Sequence, residues 1–145
     1  MRHAQAAPAA LGAEDFSRPL TAVGRRAAAR AAHALAATGV RIQRVLLSPA
    51  NRARETAAIA ARELGVDEAA LQAVPELYAA PPAVIRVVIA RHHGGARSLL
   101  VVGHNPGISE LAGQLSVQHP DIRLPTAGLC RLPLTDSGWR QLTQP

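Results

Sequence analysis

Short apolar runs that break off at a polar turn and give way to a helix set the layout of this chain. Arg44-Val45-Leu46-Leu47 is too short for a helix and reads as a buried strand. It runs into Ser48-Pro49, a helix start with Ser48 as N-cap and Pro49 at the first helical position. That helix reaches Leu64, turns Ala53, Ala57, Ala60 and Leu64 inward, and ends at Gly65. Ser98 to Val102 is the clearest buried strand; it closes in the tight turn Gly103-His104-Asn105-Pro106-Gly107, and Ile108 to Leu115 reads as the helix leaving it. Thr21 to Ala37 reads as a helix with Val23, Ala27, Ala31 and Leu35 recurring every fourth residue, stopped by Gly39. Pro81-Pro82 opens another helix that runs to about Arg91 and closes at Gly94-Gly95. Leu71 to Leu77 is a short strand candidate, and Leu129 to Leu134 reads as a last strand, at an edge because Pro133 cannot donate to a ladder. This alternation predicts an α/β fold in three layers, α/β/α, with a mostly parallel central sheet covered by helices on both faces.

With 145 residues and no repeat or linker, residues 1–145 are expected to form a single domain. No apolar run approaches the roughly 20 residues of a membrane span. Ala4 to Ala13 is interrupted by Pro8 and Gly12 and followed by Glu14 and Asp15, so it does not read as an export signal. Cys130 is the single cysteine, which rules out an internal disulfide and makes the cytoplasm the simplest location. The net charge of +6 comes from 16 arginines spread along the chain, and aromatics are only 2%. Few rings are available for stacking on bases and no basic arm is present, so nucleic acid is not the expected partner. The charge better fits an anionic small site or an acidic protein partner. His33 and His119 read as surface residues, and Tyr78 and Trp139 as core or rim packing. The adjacent His92 and His93 diverge on a helix and lack partners at ligand spacing, so no metal is expected.

Sheets of this class bind ligands beyond the carboxyl ends of their strands. Three polar clusters fall there: Arg2-His3, Ser48 to Arg52, and His104. The helix opening at Ser48 adds unpaired backbone N–H groups and its positive dipole end, and Arg52 in the first turn can lean over the same space. Two arginines, two histidines and a helix N-terminus make a pocket for a dianion, with phosphate as the natural occupant.

At these residues the chain resembles the histidine phosphatase superfamily, which has a phosphoglycerate mutase-like fold, and within it the short SixA-type phosphohistidine phosphatases. The matching pieces are R-H-A at Arg2 to Ala4, R-P-L-T at Arg18 to Thr21 with Gly24, and L-S-P-A-N-R-A-R-E-T from Leu47 to Thr56. P-E-L at Pro75 to Leu77, V-V-G-H-N-P from Val101 to Pro106 and T-A-G-L from Thr126 to Leu129 complete the set in family order. The resemblance implies that His3 is the nucleophile, Arg2 and Arg52 are phosphate clamps, and His104 is a donor on the second side of the phosphoryl group. Arg18, Asn105 and Ser48 are the further substrate-binding candidates. The chemistry is intelligible in itself: an unprotonated imidazole attacks phosphorus in line, guanidinium groups stabilise the equatorial oxygens, and water then cleaves the phosphohistidine. The guanidinium charge replaces what a metal would supply, so no cofactor is expected, and the chain is expected to act as a monomer.

Two departures shape the expectations. Family members carry an apolar strand before R-H, whereas here only Met1 precedes it. The first strand is therefore expected to be truncated, with a natural start lying upstream, the alternative being a loosely held and weakly active or inactive site. Phosphomonoesterase and mutase relatives also place a glutamate shortly after P-E-L, where this chain reads Tyr78-Ala79-Ala80. An alkoxide leaving group benefits from a proton donor far more than an imidazole does, so the pocket suits P–N cleavage. The resemblance implies as substrate a phosphorylated histidine-containing protein, a histidine-phosphotransfer domain of a signalling relay or a similar phosphocarrier. The alternatives are a small phosphorylated metabolite, or phosphohistidine binding without catalysis. Asp15 and Glu76 remain the candidate general acids, although Glu76 more commonly serves as a structural acceptor.

Overall fold

β1 (Arg44–Leu47) forms where its apolar run predicts, at the centre of a parallel sheet. The computed structural model describes residues 1–9 and 14–143; Gly12, one of the breaks in the Ala4 to Ala13 stretch, lies outside the described residues. β2 (Leu71–Ala73) pairs with one edge of β1, Val45 facing Leu71, and β3 (Leu99–Val102) pairs with the other, Arg44 facing Leu99. The expected first strand is reduced to one parallel bridge between Arg2 and Gly103. It is nevertheless well seated: Gly103 N–H donates to Met1 O at 3.1 Å, His3 N–H to Gly103 O at 3.0 Å, and the Met1 nitrogen to Val101 O at 2.8 Å.

The strands alternate their side chains between two cores, as a pleated backbone requires. Val45, Leu47, Leu100 and Val102 point to one face, where they pack with Ala28 and Ala32 of α1 (Ala22–Ala36) and Ala53, Ala57 and Ala60 of α2 (Asn51–Leu64). Leu46, Leu99 and Val101 point to the other, against α3 (Pro82–His92), α4 (Gly107–Leu115) and α5 (Asp136–Thr143). Helices thus cover both faces, giving the three layers the alternation predicts. Among the described residues no helix is long and apolar enough to cross a membrane.

Four expectations need correction. The buried stripe of α1 is Gly24, Ala28, Ala32 and Leu35, while Val23 is 54% exposed. In an alanine-rich helix neighbouring columns are nearly equally apolar, and the face that seats is the one small enough for close approach. Ser48 does not cap α2: the helix starts at Asn51 after Ala50, and Ser48 is fully buried, its hydroxyl accepting weakly from Ala50 N–H at 3.4 Å and standing 2.7 Å from His104 Nε2. The strand expected over Leu71 to Leu77 ends at Ala73, because Pro75 opens a 3-10 turn. Leu129 to Leu134 forms no strand; the position beside the end of β3 is taken by Met1 to His3, and Pro133 lacks a donor. α5 follows instead, with Thr135 accepting from Gly138 N–H and Trp139 N–H.

Gly24 marks a tight approach near the site. A Cβ there would stand 2.2 Å from Gln5 O, the carbonyl that accepts from Thr21 N–H. Gly24→Ala is expected to lower stability by about 1–3 kcal/mol, read as a reduced denaturant midpoint at unchanged slope. No change in midpoint would show that the chain after His3 moves aside freely.

Candidate active site

Beyond the carboxyl ends of β1 and β3 three chain segments converge on one space, as the topology demands. His3 enters from the Arg2 bridge, Ser48 from β1, and His104 directly after Gly103. The rings of His3 and His104 lie 5.0 Å apart, tilted by 58°. His3 Nδ1 stands 2.8 Å from Ala4 O, and since a carbonyl only accepts, Nδ1 carries the proton and Nε2 keeps its lone pair. Arg52 Nε donates to that Nε2 across 3.3 Å. Burial holds the His3 pKa below the ordinary imidazole value against the opposing hydrogen bond to Ala4, with Arg52, Arg2 and Arg18 adding repulsion. His104 is buried, its Nε2 2.7 Å from Ser48 Oγ, and burial, then the proximity of His3 and Arg52, holds its pKa at about 4.

Around the two rings lies a cradle of cations. Arg52, buried in the first turn of α2, donates from Nη1 to Asp15 O at 2.7 Å and from Nη2 to Asp15 Oδ2 at 2.8 Å. Arg18 donates from Nη1 to Asp15 Oδ1 at 2.8 Å and from Nε to Ala7 O at 2.7 Å. The Tyr78 hydroxyl adds a third donor to Asp15 Oδ2 at 3.0 Å. Bonds from Arg18, Tyr78 and Arg52 hold the Asp15 carboxyl far below the usual carboxylate range. Arg2 anchors Nη1 on Leu124 O at 3.2 Å, and its buried Nε has no hydrogen-bond partner among the described residues. The arrangement gathers three guanidinium groups beside an imidazole lone pair.

The sequence model of the histidine phosphatase superfamily (branch 1) matches residues 1–79, the stretch that supplies Arg2, His3, Asp15, Arg18 and Arg52. The chain belongs to the histidine phosphatase superfamily. A superfamily structure of the protein histidine phosphatase SixA in complex with tungstate superposes with a TM-score of 0.75 at 30% identity, covering 87% of this chain and 80% of that one. The structure of the putative phosphohistidine phosphatase SixA from Agrobacterium tumefaciens gives 0.76 at 29%, covering 88% and 84%. An uncharacterized protein of Mycobacterium tuberculosis is 40% identical over 112 residues, 77% of this chain and 67% of its own length. A mycobacterial glucosyl-3-phosphoglycerate phosphatase, at 18% identity and a TM-score of 0.58 over 79% of this chain and 76% of its own, shares the fold.

Within this candidate site Arg2, His3, Arg18, Arg52 and His104 lie together, and three other candidates take different places. Ser48 holds the His104 ring and lies beneath the pocket. Asn105 faces away: its Nδ2 donates to Leu124 O at 3.0 Å and its Oδ1 accepts from Ser109 Oγ at 2.7 Å. Because Leu124 O also receives Arg2, Asn105 braces the anchor of that arginine. Glu76 sits exposed on the 3-10 turn Pro75–Leu77, outside the network of His3, Arg52, Asp15 and His104. Asp15 reaches the site but as an ionised acceptor, with no proton to give at neutral pH. Neither acid candidate stands ready as a donor.

Two contributors escape a reading of the sequence. Thr56 is fully buried and accepts from Ala4 N–H at 3.0 Å while donating to Arg52 O at 2.6 Å, tying the backbone after His3 to the turn that carries Arg52. Its spacing from Arg52, one helical turn on a buried face, was the available signal. Tyr78 meets both Asp15 and His104, its ring 5.3 Å from the imidazole in an edge-on geometry. No local pattern points to it. Among the described residues no group of three or more His, Cys, Asp or Glu side chains is placed to hold a metal ion.

Both imidazoles are held neutral by the fold, which fixes the sign of a pH effect. The unfolded chain binds these protons near the ordinary value of about 6.5, so stability is whole above that pH. It is lost as pH falls from about 6.5 toward about 4, through the lowered folded value of His104. The urea midpoint is expected to drop over that window, with the His3 and His104 ring protons titrating below 6.5 by NMR. Ring titration above 6.5 would contradict the geometry.

Proposed function

We propose that this chain is a phosphatase that takes a phosphoryl group onto His3 Nε2 and passes it to water, with protein phosphohistidine as its substrate. The observation that carries this reading is the fixed tautomer of His3, with Nδ1–H tied to Ala4 O and the Nε2 lone pair facing the Arg52 guanidinium. A phosphorus atom held by that guanidinium lies where the lone pair can reach it.

In the first step the Nε2–P bond forms as the P–N bond of the substrate breaks, and the donor ring, which enters protonated on its other nitrogen, keeps the bond's electron pair and leaves as a neutral imidazole. Arg2, Arg18 and Arg52 stabilise the charge on the equatorial oxygens. A Ser48 hydroxyl that donates to His104 Nε2 leaves Nδ1–H as the group available to a phosphoryl oxygen, and the low pKa of His104 keeps that ring neutral. In the second step water attacks phosphorus, the Nε2–P bond breaks, and inorganic phosphate departs. An alkoxide leaving group would call for an acid, and Asp15 and Glu76 do not supply one, which favours P–N over P–O substrates. The resemblance to SixA phosphohistidine phosphatases points the same way, toward a phosphotransfer domain of a cytoplasmic signalling relay.

The test is phosphate release from a histidine-phosphorylated carrier protein, compared with phosphoserine and sugar phosphates at equal concentration. The expected result is a kcat/KM for the carrier at least about 100-fold higher, the scale of rate that general acid catalysis would otherwise have to contribute to ester cleavage. Faster turnover of a sugar phosphate would replace this reading with a small-molecule phosphomonoesterase. Binding of the carrier without release would make the chain a phosphohistidine-binding module.

A further inference from the structure

The chain contains one Phe, one Tyr and one Trp, and two of these three rings stand together at the mouth of the candidate site. Phe16 lies 5.4 Å from Tyr78, Tyr78 lies 5.3 Å from His104, and His104 lies 5.0 Å from His3. The rings form a continuous line from solvent to the proposed nucleophile. Phe16 is 41% exposed and Tyr78 39% exposed. A chain this poor in aromatics has apolar aliphatic side chains to pack its cores, and Trp139 is seated in one of them, so two exposed rings at the pocket edge serve no packing need.

The pair is also held in place. The Tyr78 hydroxyl is fixed on Asp15 Oδ2, so its ring cannot turn freely. The next residue, Ala79, adopts a left-handed backbone at φ 49°, a conformation that residues with a Cβ rarely take, at the point where the chain leaves the site. Phe16 lies in the 3-10 turn Asp15–Ser17, which Asn51 pins through Ser17 O at 3.2 Å. An aromatic surface fixed in advance binds a flat partner without first having to be ordered.

We propose that Phe16 and Tyr78 form a subsite for the leaving group, one that selects phosphoryl donors whose leaving group carries a flat ring at or next to the departing atom. This assignment rests on the phosphatase reading above and deepens it: the imidazole of phosphohistidine is such a ring, and it would stack at the rim while the phosphoryl group enters the arginine cradle. An alkyl or ammonia leaving group gains nothing from the same surface. Stacked and edge-on ring pairs contribute enough to account for roughly a two- to tenfold preference.

The experiment reads a ratio. The kcat/KM for phosphoimidazole is divided by that for phosphoramidate, two small P–N substrates that differ in having a ring. Tyr78→Leu and Phe16→Leu are each expected to reduce that ratio about three- to tenfold, and Tyr78→Phe, which keeps the ring and loses the bond to Asp15, to preserve it within about twofold. An unchanged ratio in both leucine variants overturns the subsite, since damage to the cradle or to folding lowers both rates alike. A ratio that falls equally in Tyr78→Phe also overturns it, by tracing the effect to Asp15. Should the unaltered chain cleave neither P–N substrate, phenyl phosphate and methyl phosphate form the same pair. The P–N reading then fails while the ring preference is still decided.

Discussion

His3→Ala is expected to abolish turnover, with kcat reduced on the order of 10⁴-fold or more, the scale seen when a nucleophile that acts as part of a unit is removed. The neighbouring groups cannot take over. His104 has its Nε2 engaged with Ser48, and Asp15 is an ionised carboxylate locked between two guanidinium groups. The loss is chemical rather than structural, because the backbone bonds of residue 3, from His3 N–H to Gly103 O and from Ala127 N–H to His3 O, do not involve the ring. Thermal midpoint and circular dichroism are therefore expected to remain close to those of the unaltered chain, while the acid-labile phosphoenzyme disappears from a rapid-quench experiment with labelled substrate. Retention of that phosphoenzyme in the variant would move the nucleophile to another residue.

Arg52→Ala is expected to cost about 10²–10³-fold in kcat/KM. Arg52 Nε donates to the proposed nucleophile while Nη1 and Nη2 donate to the carbonyl and the carboxylate of Asp15, so one side chain ties the imidazole to a bound negative charge. Lysine does not restore this: an ammonium is a point charge without the planar fork, and Arg52→Lys is expected to recover less than about tenfold of the loss. Tungstate affinity separates a binding role from a purely structural one, since it should fall in parallel with kcat/KM while the fold survives. Unchanged tungstate binding would remove Arg52 from the cradle.

The central strands were readable because each is a compact apolar run whose alternate residues face two separate cores, and the starts of α3 and α4 because Pro81-Pro82 and the Gly103 to Gly107 turn permit little else. The site motifs were readable because topology brings strand ends to one edge. What failed were statements that depend on which of several similar options the tertiary structure selects. Ser48 suits an N-cap by type, yet a buried imidazole needs a partner and takes the hydroxyl. Asn105 adjoins a catalytic candidate in sequence, but the turn directs successive side chains apart. Tyr78 meets Asp15 across a separation of 63 residues, beyond the reach of any local pattern. The buried column of α1 was ambiguous for the same reason: only the position of Gln5 decides among alanines.

Asp15 accepts from Arg18, Arg52 and Tyr78 at once, so the chain supplies its own counter-ion to the guanidinium groups gathered beside His3. A tethered counter-ion acts at an effective concentration in the millimolar range or above, so these guanidinium groups do not stand as naked cations. On the phosphatase reading proposed above, a partly neutralised cradle holds liberated phosphate less tightly and lets it leave sooner. That reading expects only weak inhibition by free inorganic phosphate.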